Sequence, residues 1–271
     1  MSPPVITLLS DYGLEDDFVG VCHGVIATIC PEARVIDITH GVPRHDVRAG
    51  AVILRESLEY MPPGIHVAIV DPDVGAERRA VALRTGDGRI LVGPDNGLLS
   101  LAAEAGGGVA EAVDIAHSSF RLEPVSATFH GRDIFAPVAA RLAAGAQLVE
   151  AGDPAEVGAL VALELPSPRH EHGELIVHAL YIDRFGNVQL DAGHDDLRGS
   201  GLKLGHPVQI ESGDGYVHHA HYARTFADVE PDALLVYEDA YRRLAVAVSH
   251  GSAAGRLGVA ADGELRIRPQ G

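Results

Sequence analysis

The run Val70-Asp71-Pro72-Asp73-Val74-Gly75-Ala76-Glu77-Arg78-Arg79 sets a carboxylate and a guanidinium seven residues apart across a Pro/Gly turn. Such a turn can fold the base back toward the acid. The pair has two readings, an ordinary structural ion pair or a charged site for a small molecule. A second acid, Asp11, follows the apolar run Val5 to Leu9 much as Asp71 follows Ile65 to Val70. Taken alone, Asp11 reads as a turn cap. Two carboxylates at strand ends favour a shared crevice, because ligands of open α/β sheets bind outside the carboxyl ends of the strands. His130 lies in Thr128-Phe129-His130-Gly131-Arg132-Asp133, just ahead of a helical pattern. A helix N-terminus favours the neutral imidazole, which suits a base or a hydrogen-bond partner at pH 7.

The elements that must hold these groups follow from periodicity. Val5 to Leu9, Val35 to Ile38 and Ile65 to Val70 read as strands. Between them, Phe18, Val21, Cys22, Val25, Ile26 and Ile29 have helical spacing that Pro31 stops, and Val47, Ala51, Leu54, Leu58 and Met61 mark a second helix ended by Pro62-Pro63-Gly64. Strand, helix, strand, helix, strand implies a parallel sheet with right-handed crossovers. Gly86-Asp87-Gly88 marks a hairpin, a short helix runs around Leu98 to Glu104, and Ile134, Phe135, Val138 and Leu142 share a helical face. The Pro- and His-containing segment 166–173 reads as a linker. Beyond it come the short runs Leu175 to Ile182, Val188 to Leu190, Val208 to Ile210, Leu234 to Tyr237 and Leu244 to Val248. The expected fold is α/β: an N-terminal α/β domain (1–165) with a central, mostly parallel sheet, and a smaller C-terminal all-β barrel-like domain (174–271).

Composition narrows the partners. The 271 residues carry 38 acids against 21 bases, a formal charge of −17. That balance argues against nucleic acid and against an anionic membrane surface, both of which need a basic footprint. No apolar run reaches the roughly 18 residues of a membrane span, and the start Met1-Ser2-Pro3-Pro4 has no basic leader region. Cys22 and Cys30, eight apart on one expected helix, would be about 12 Å apart along its axis and read as buried thiols in a reducing cytoplasm. The P-loop, the G-x-S-x-G elbow, H-E-x-x-H and C-x-x-C are all absent. His170-x-His172 and His218-His219-Ala220-His221 lack an evident carboxylate or cysteine partner, so no metal is expected.

Five motifs occur in order: Leu9-Ser10-Asp11-Tyr12-Gly13, Val70-Asp71-Pro72-Asp73-Val74-Gly75, Gly93-Pro94-Asp95-Asn96-Gly97, Phe129 to Pro137, and Ile182-Asp183-Arg184-Phe185-Gly186-Asn187. Together they resemble the S-adenosylmethionine (SAM) hydroxide adenosyltransferases, relatives of the SAM-dependent fluorinase and chlorinase, over almost the full length. The resemblance implies that Asp71, Arg78 and His130 surround a water near the ribose C5′ of SAM. It implies that Asp11 binds the ribose, Asp16 reaches the methionine part, Asp183 binds the methionine amine, Asn187 reads adenine and Phe226 stacks on it. It also implies a homotrimer with each site between the large domain of one subunit and the small domain of the next.

Under that resemblance SAM is the substrate and no cofactor is expected. Two departures stand out. Asp73 occupies a position where the family commonly has glycine, and Glu238-Asp239-Ala240-Tyr241-Arg242 replaces a small Ser/Gly turn. The competing activities are a halogenase, a SAM methyltransferase and a non-catalytic SAM or adenosine sensor. The retained Asp71, Arg78 and His130 favour water over halide, and the further glycines of a methyltransferase loop are missing.

Overall fold

The computed structural model describes residues 3–213 and 215–270; Met1 and Ser2, part of the start read above for a leader, lie outside them. The chain divides into two compact units, Met1–Leu163 and Glu164–Gly271. No helix among the described residues is long and apolar enough to cross a membrane.

The first unit runs β1 (Val5–Ser10), α1 (Phe18–Ile29), β2 (Arg34–Thr39), α2 (Val47–Leu58), β3 (Ile65–Ile69), β4 (Ala80–Thr85), β5 (Ile90–Pro94), α3 (Ser100–Ala105), β6 (Val109–Asp114), a π turn over Gly131–Phe135, α4 (Ala136–Ala143) and β7 (Asp153–Pro154). Its sheet has the order β2-β1-β3-β5-β4-β6-β7. β2, β1, β3 and β5 are parallel, whereas β4 lies antiparallel between β5 and β6. All five residues of β3 are buried, as a strand covered on both faces requires. The chain steps from β1 outward to β2 and then back past β1 to β3, so right-handed crossovers send α1 and α2 to opposite faces. α1 packs with α4, and α2 packs with α3. Cys22 and Ile26 of α1 and Val138 and Leu142 of α4 share one core with Ile6, Leu8 and Val67. Both cysteines are free and buried, with Cys30 at the C-cap of α1.

Two helix readings are corrected. α2 ends at Leu58, short of Met61, and the helix expected from Ile134 begins with a π turn that already includes Gly131.

The second unit runs β8 (Arg169–Glu171), β9 (Glu174–Ile182), β10 (Val188–Gly193), β11 (Pro207–Ser212), β12 (Val217–Tyr222), β13 (Leu234–Glu238), β14 (Arg243–Val248), α5 (Ala253–Leu257) and β15 (Glu264–Pro269). The order β10-β14-β13-β12-β11-β15-β9 returns to β10, closing a seven-stranded barrel, and β8 pairs with the start of β9. Three of the eight residues of the expected linker are thus strand. A ring with an odd number of strands cannot be antiparallel throughout, and the parallel pair here is β12 with β13. Parallel neighbours need a crossover connection. That connection, between Tyr222 and Leu234, carries Phe226.

Candidate functional site

Asp71 follows β3, and Arg78 precedes β4. The turn between them brings the two side chains together: Arg78 Nε donates to Asp71 Oδ1 at 2.9 Å and Oδ2 at 3.0 Å, and Arg78 Nη2 also donates to Oδ2. The side chains are only 9% and 6% exposed. A buried pair of this kind survives only with good geometry and further hydrogen bonds. Arg78 has both. Its Nη2 lies 2.8 Å from His130 Nδ1, and its guanidinium carbon sits 5.5 Å from the centre of the Phe135 ring. Because a guanidinium can only donate, His130 Nδ1 is the acceptor and the ring proton sits on Nε2.

Two glycines allow this approach. Gly75 has φ +83°, and a Cβ there would meet the carbonyl oxygen of Ala127 at 2.5 Å. At Gly131 a Cβ would lie 2.4 Å from the Tyr12 hydroxyl oxygen. The Asp71–Arg78 turn, the approach to His130 and the loop after β1 therefore meet backbone to backbone or backbone to ring. Asp133, in the π turn, holds the approach segment: its Oδ2 accepts from Ser126 N at 2.8 Å and its carbonyl from Leu122 N at 2.8 Å. Tyr12, Asp133 and Phe135 stand in the sequence motifs or on the helical face but not among the expected site residues. The sequence signal for Asp133 is an acid set directly against the apolar pair Ile134-Phe135, where a carboxylate needs partners.

A cavity of about 380 Å³ is lined by Asp11, Asp16, Asp71, His130 and Arg44 among others. Asp11 Oδ2 accepts from His45 N at 2.9 Å, which leaves Oδ1 for a ligand hydroxyl. Asp16 is exposed at the rim, one residue before the α1 N-cap, Asp17. Asp73 has no positive φ and is exposed, so its place in the turn is unstrained. Five of the eight expected site residues thus belong to one corner of the first unit.

The other three lie in the second unit, on a cavity of about 710 Å³ that also includes Tyr237 and Ser249 to Ser252. Asp183 organises this end. Its Oδ1 accepts from Phe185 N at 2.8 Å and Asn187 N at 2.9 Å, and its Oδ2 accepts from Asn187 Nδ2 at 2.8 Å. Asn187 is buried and so aimed, with Oδ1 still available. Phe226 is 40% exposed and lies 5.2 Å from the Tyr237 ring. Glu238, in the departure segment, is drawn away to Tyr222 Oη at 2.9 Å and His194 Nδ1 at 2.9 Å.

Burial, and then the Arg78 cation, hold the His130 pKa below its ordinary value near 6.5. His130 is therefore neutral at pH 7. A group with a depressed histidine pKa favours the folded state above its unfolded value and loses that contribution as pH falls toward the folded value. An NMR titration of the His130 ring should show its midpoint below 6.5, and Arg78→Ala should raise it. A midpoint unmoved by Arg78→Ala would exclude the Nδ1 contact.

A family model described as the SAM hydroxide adenosyltransferase N-terminal domain matches residues 6–152, and one described as the C-terminal domain of the same family matches residues 177–266. The chain is 49% identical over 268 residues to an (R)-S-adenosyl-L-methionine hydrolase of Salinispora tropica, covering 98% of this chain and 99% of the relative. It is 28% identical over 278 residues to a fluorinase of Nocardia brasiliensis, covering 93% and 92%. A crystal structure of an uncharacterized conserved protein from Thermotoga maritima superposes with a TM-score of 0.88 at 35% identity, covering 97% of this chain and 99% of that one.

Proposed function

Because this chain belongs to the SAM hydroxide adenosyltransferase family, we propose that it hydrolyses S-adenosyl-L-methionine to adenosine and L-methionine, acting on the sulfonium epimer named in its (R)-specific relatives. The observation that carries this reading is the hydrogen-bonded Asp71–Arg78–His130 cluster, whose Asp71 and His130 line one cavity with Asp11 and Asp16.

The sulfonium makes methionine a good leaving group without protonation, so the difficulty lies in the nucleophile: bulk water, with a pKa near 15.7, attacks weakly. In this reading the water sits between His130 and Asp71. His130 Nε2–H donates to its oxygen, because Nδ1 is taken by Arg78. The lone pairs of Asp71 not used by Arg78 accept a water proton. Oxygen bonds to C5′, the C5′–S bond breaks with its electron pair going to sulfur, and the proton leaves through Asp71. Neutral methionine thioether, adenosine and one proton result. Arg78 keeps both partners in register and neutralises the buried Asp71 carboxylate. Holding oxygen, C5′ and sulfur in line is worth roughly 7–11 kcal/mol of barrier. Asp11 on the ribose and Asp16 on the methionine part would supply that hold.

Adenine recognition falls to the second unit in this reading, through Asn187 and Phe226, with Asp183 serving the methionine amine as well as the Asn187 amide. We assign the nucleophile half to the N-terminal domain (1–165) and the adenine half to the C-terminal domain (174–271). In this reading, as the family resemblance implies, a homotrimer joins the two halves across subunits. Two unpaired buried thiols accord with the reducing cytoplasm.

Incubation with each sulfonium epimer in ¹⁸O-water tests the reaction. The label should appear in the adenosine 5′-hydroxyl, with one proton released per turnover and a preference for the R epimer. 5′-Chloroadenosine in chloride buffer would support the halogenase instead, S-adenosylhomocysteine a methyltransferase, and binding without turnover a sensor.

A further inference from the structure

Away from these cavities, the fold gathers three side chains with no ligand-like spacing in sequence. His23 lies on α1, Asp37 on β2, and His40 directly after β2, with their donor atoms within 4.8 Å of one another. His23 Nε2 is 2.8 Å from Asp37 Oδ1, and His40 Nε2 is 3.1 Å from the same oxygen. The His40 side chain is 5% exposed, and its Nε2 is a buried nitrogen that makes no aligned hydrogen bond. Its other nitrogen, Nδ1, lies 2.7 Å from Ser10 Oγ. With the proton on Nδ1, donated to Ser10, the Nε2 lone pair points at a carboxylate oxygen. In that tautomer two lone pairs face each other at 3.1 Å and call for a cation between them, whereas a Ser10 hydroxyl donating to Nδ1 puts the ring proton on Nε2, toward Asp37.

We propose that His23, Asp37 and His40 form a binding site for one divalent transition-metal ion, of the zinc, cobalt or nickel type. Two imidazoles and one carboxylate suit these borderline ions and not magnesium or calcium, which want oxygen ligands. Ligand atoms about 2.0–2.2 Å from a tetrahedral metal stand roughly 3.3–3.6 Å apart. The present separations of 2.8 and 3.1 Å need less than about 1 Å of opening. His23 and Asp37, 35% and 41% exposed, are free to give that and leave a coordination position open to solvent. Ser10 is the outer partner that fixes the imidazole of a metal-binding histidine.

The site also reaches the substrate loop. Ser10 Oγ accepts from Tyr12 N at 3.3 Å, and the His40 carbonyl accepts from Gly13 N at 2.8 Å. An ion on His40 therefore stiffens the Ser10–Gly13 segment that carries Asp11, and clips α1 to the sheet-edge strand β2.

Chelator-treated protein should take up one Zn²⁺ per chain in equilibrium dialysis, at micromolar affinity or tighter, with a higher Tm. Co²⁺ should give the visible absorption of a low-coordinate nitrogen/oxygen site. His23→Ala and Asp37→Asn, both at partly exposed positions, should weaken uptake by about 100-fold or more, and Ser10→Ala by about 10- to 100-fold. Metal-free melts of the first two variants should match wild type, showing that they fold. Uptake equal in wild type and His23→Ala, or Mg²⁺ binding as well as Zn²⁺, would overturn the assignment and leave a hydrogen-bonded cluster.

Discussion

Arg78→Ala should lower SAM turnover by about two to three orders of magnitude while changing KM by no more than a few-fold. Loss of one preorganised electrostatic group typically costs about 2.7–4 kcal/mol of transition-state stabilisation. Here the guanidinium bonds Asp71 through Nε and Nη2 and His130 through Nη2, so its removal releases both ends of the proposed water site at once. Asp11, Asp16 and Asn187 lie outside these bonds, which is why binding should persist. The same change leaves Asp71 as a buried carboxylate without its partner, at a cost of about 3–5 kcal/mol in stability. A melting curve must therefore accompany the kinetics. Arg78→Lys separates the two effects. It retains a cation for Asp71 but cannot donate to Asp71 and His130 from one plane, so stability should largely return and turnover should not. A KM raised in step with unchanged turnover would make Arg78 a binding residue instead.

Asp183→Ala should show the opposite division, with KM for SAM raised about 30- to 150-fold and turnover at saturation within a few-fold of wild type. Its carboxylate accepts three hydrogen bonds, from Phe185 N, Asn187 N and Asn187 Nδ2. Hydrogen bonds to a charged group are worth about 1.5–3 kcal/mol each. Not all of that is lost on binding, since the freed loop can hydrogen-bond to water, and a net loss of about 2–3 kcal/mol gives the range stated. Asn187 would keep its identity but not its aim. Asp183→Asn retains an acceptor toward the two backbone amides and should recover part of the affinity. If adenosine affinity, measured by calorimetry, were the same in Asp183→Ala and wild type, the aiming of Asn187 would be irrelevant to adenine.

The parts of this architecture that could be read from sequence are those governed by local pattern. β1, α1, β2, α2 and β3 follow from apolar spacing punctuated by proline and glycine, and the acid–base turn after β3 lies within ten residues. β15 escaped notice, although Leu265 and Ile267 alternate inward with Arg266 and Arg268 outward, because three charged residues mask a short run. β8 hid in a segment whose prolines suggest a linker. The π turn leaves no period of its own, since it widens a helix by a single bond within one turn. The Arg78–His130 contact spans 52 positions, and the group of His23, Asp37 and His40 depends on a helix lying over a sheet edge. No window along the chain contains such information. Motif order supplied the first of these, through family resemblance, and nothing in the sequence supplied the second.

One strand's direction has a cost that only appears on counting lengths. β4 runs against β5, so its first residue, Ala80, pairs with Pro94, the last of β5. Arg78, just ahead of it, arrives on the rim where β1 and β3 finish. Threaded the other way, the same six-residue strand would deliver that arginine to the far rim, about 20 Å off at roughly 3.3 Å per residue. A designer who transplanted the Asp71–Arg78 segment into a uniformly wound flavodoxin-type scaffold would keep every side chain and lose the constellation. The polarity reversal made by the hairpin at Gly86–Gly88 must travel with it.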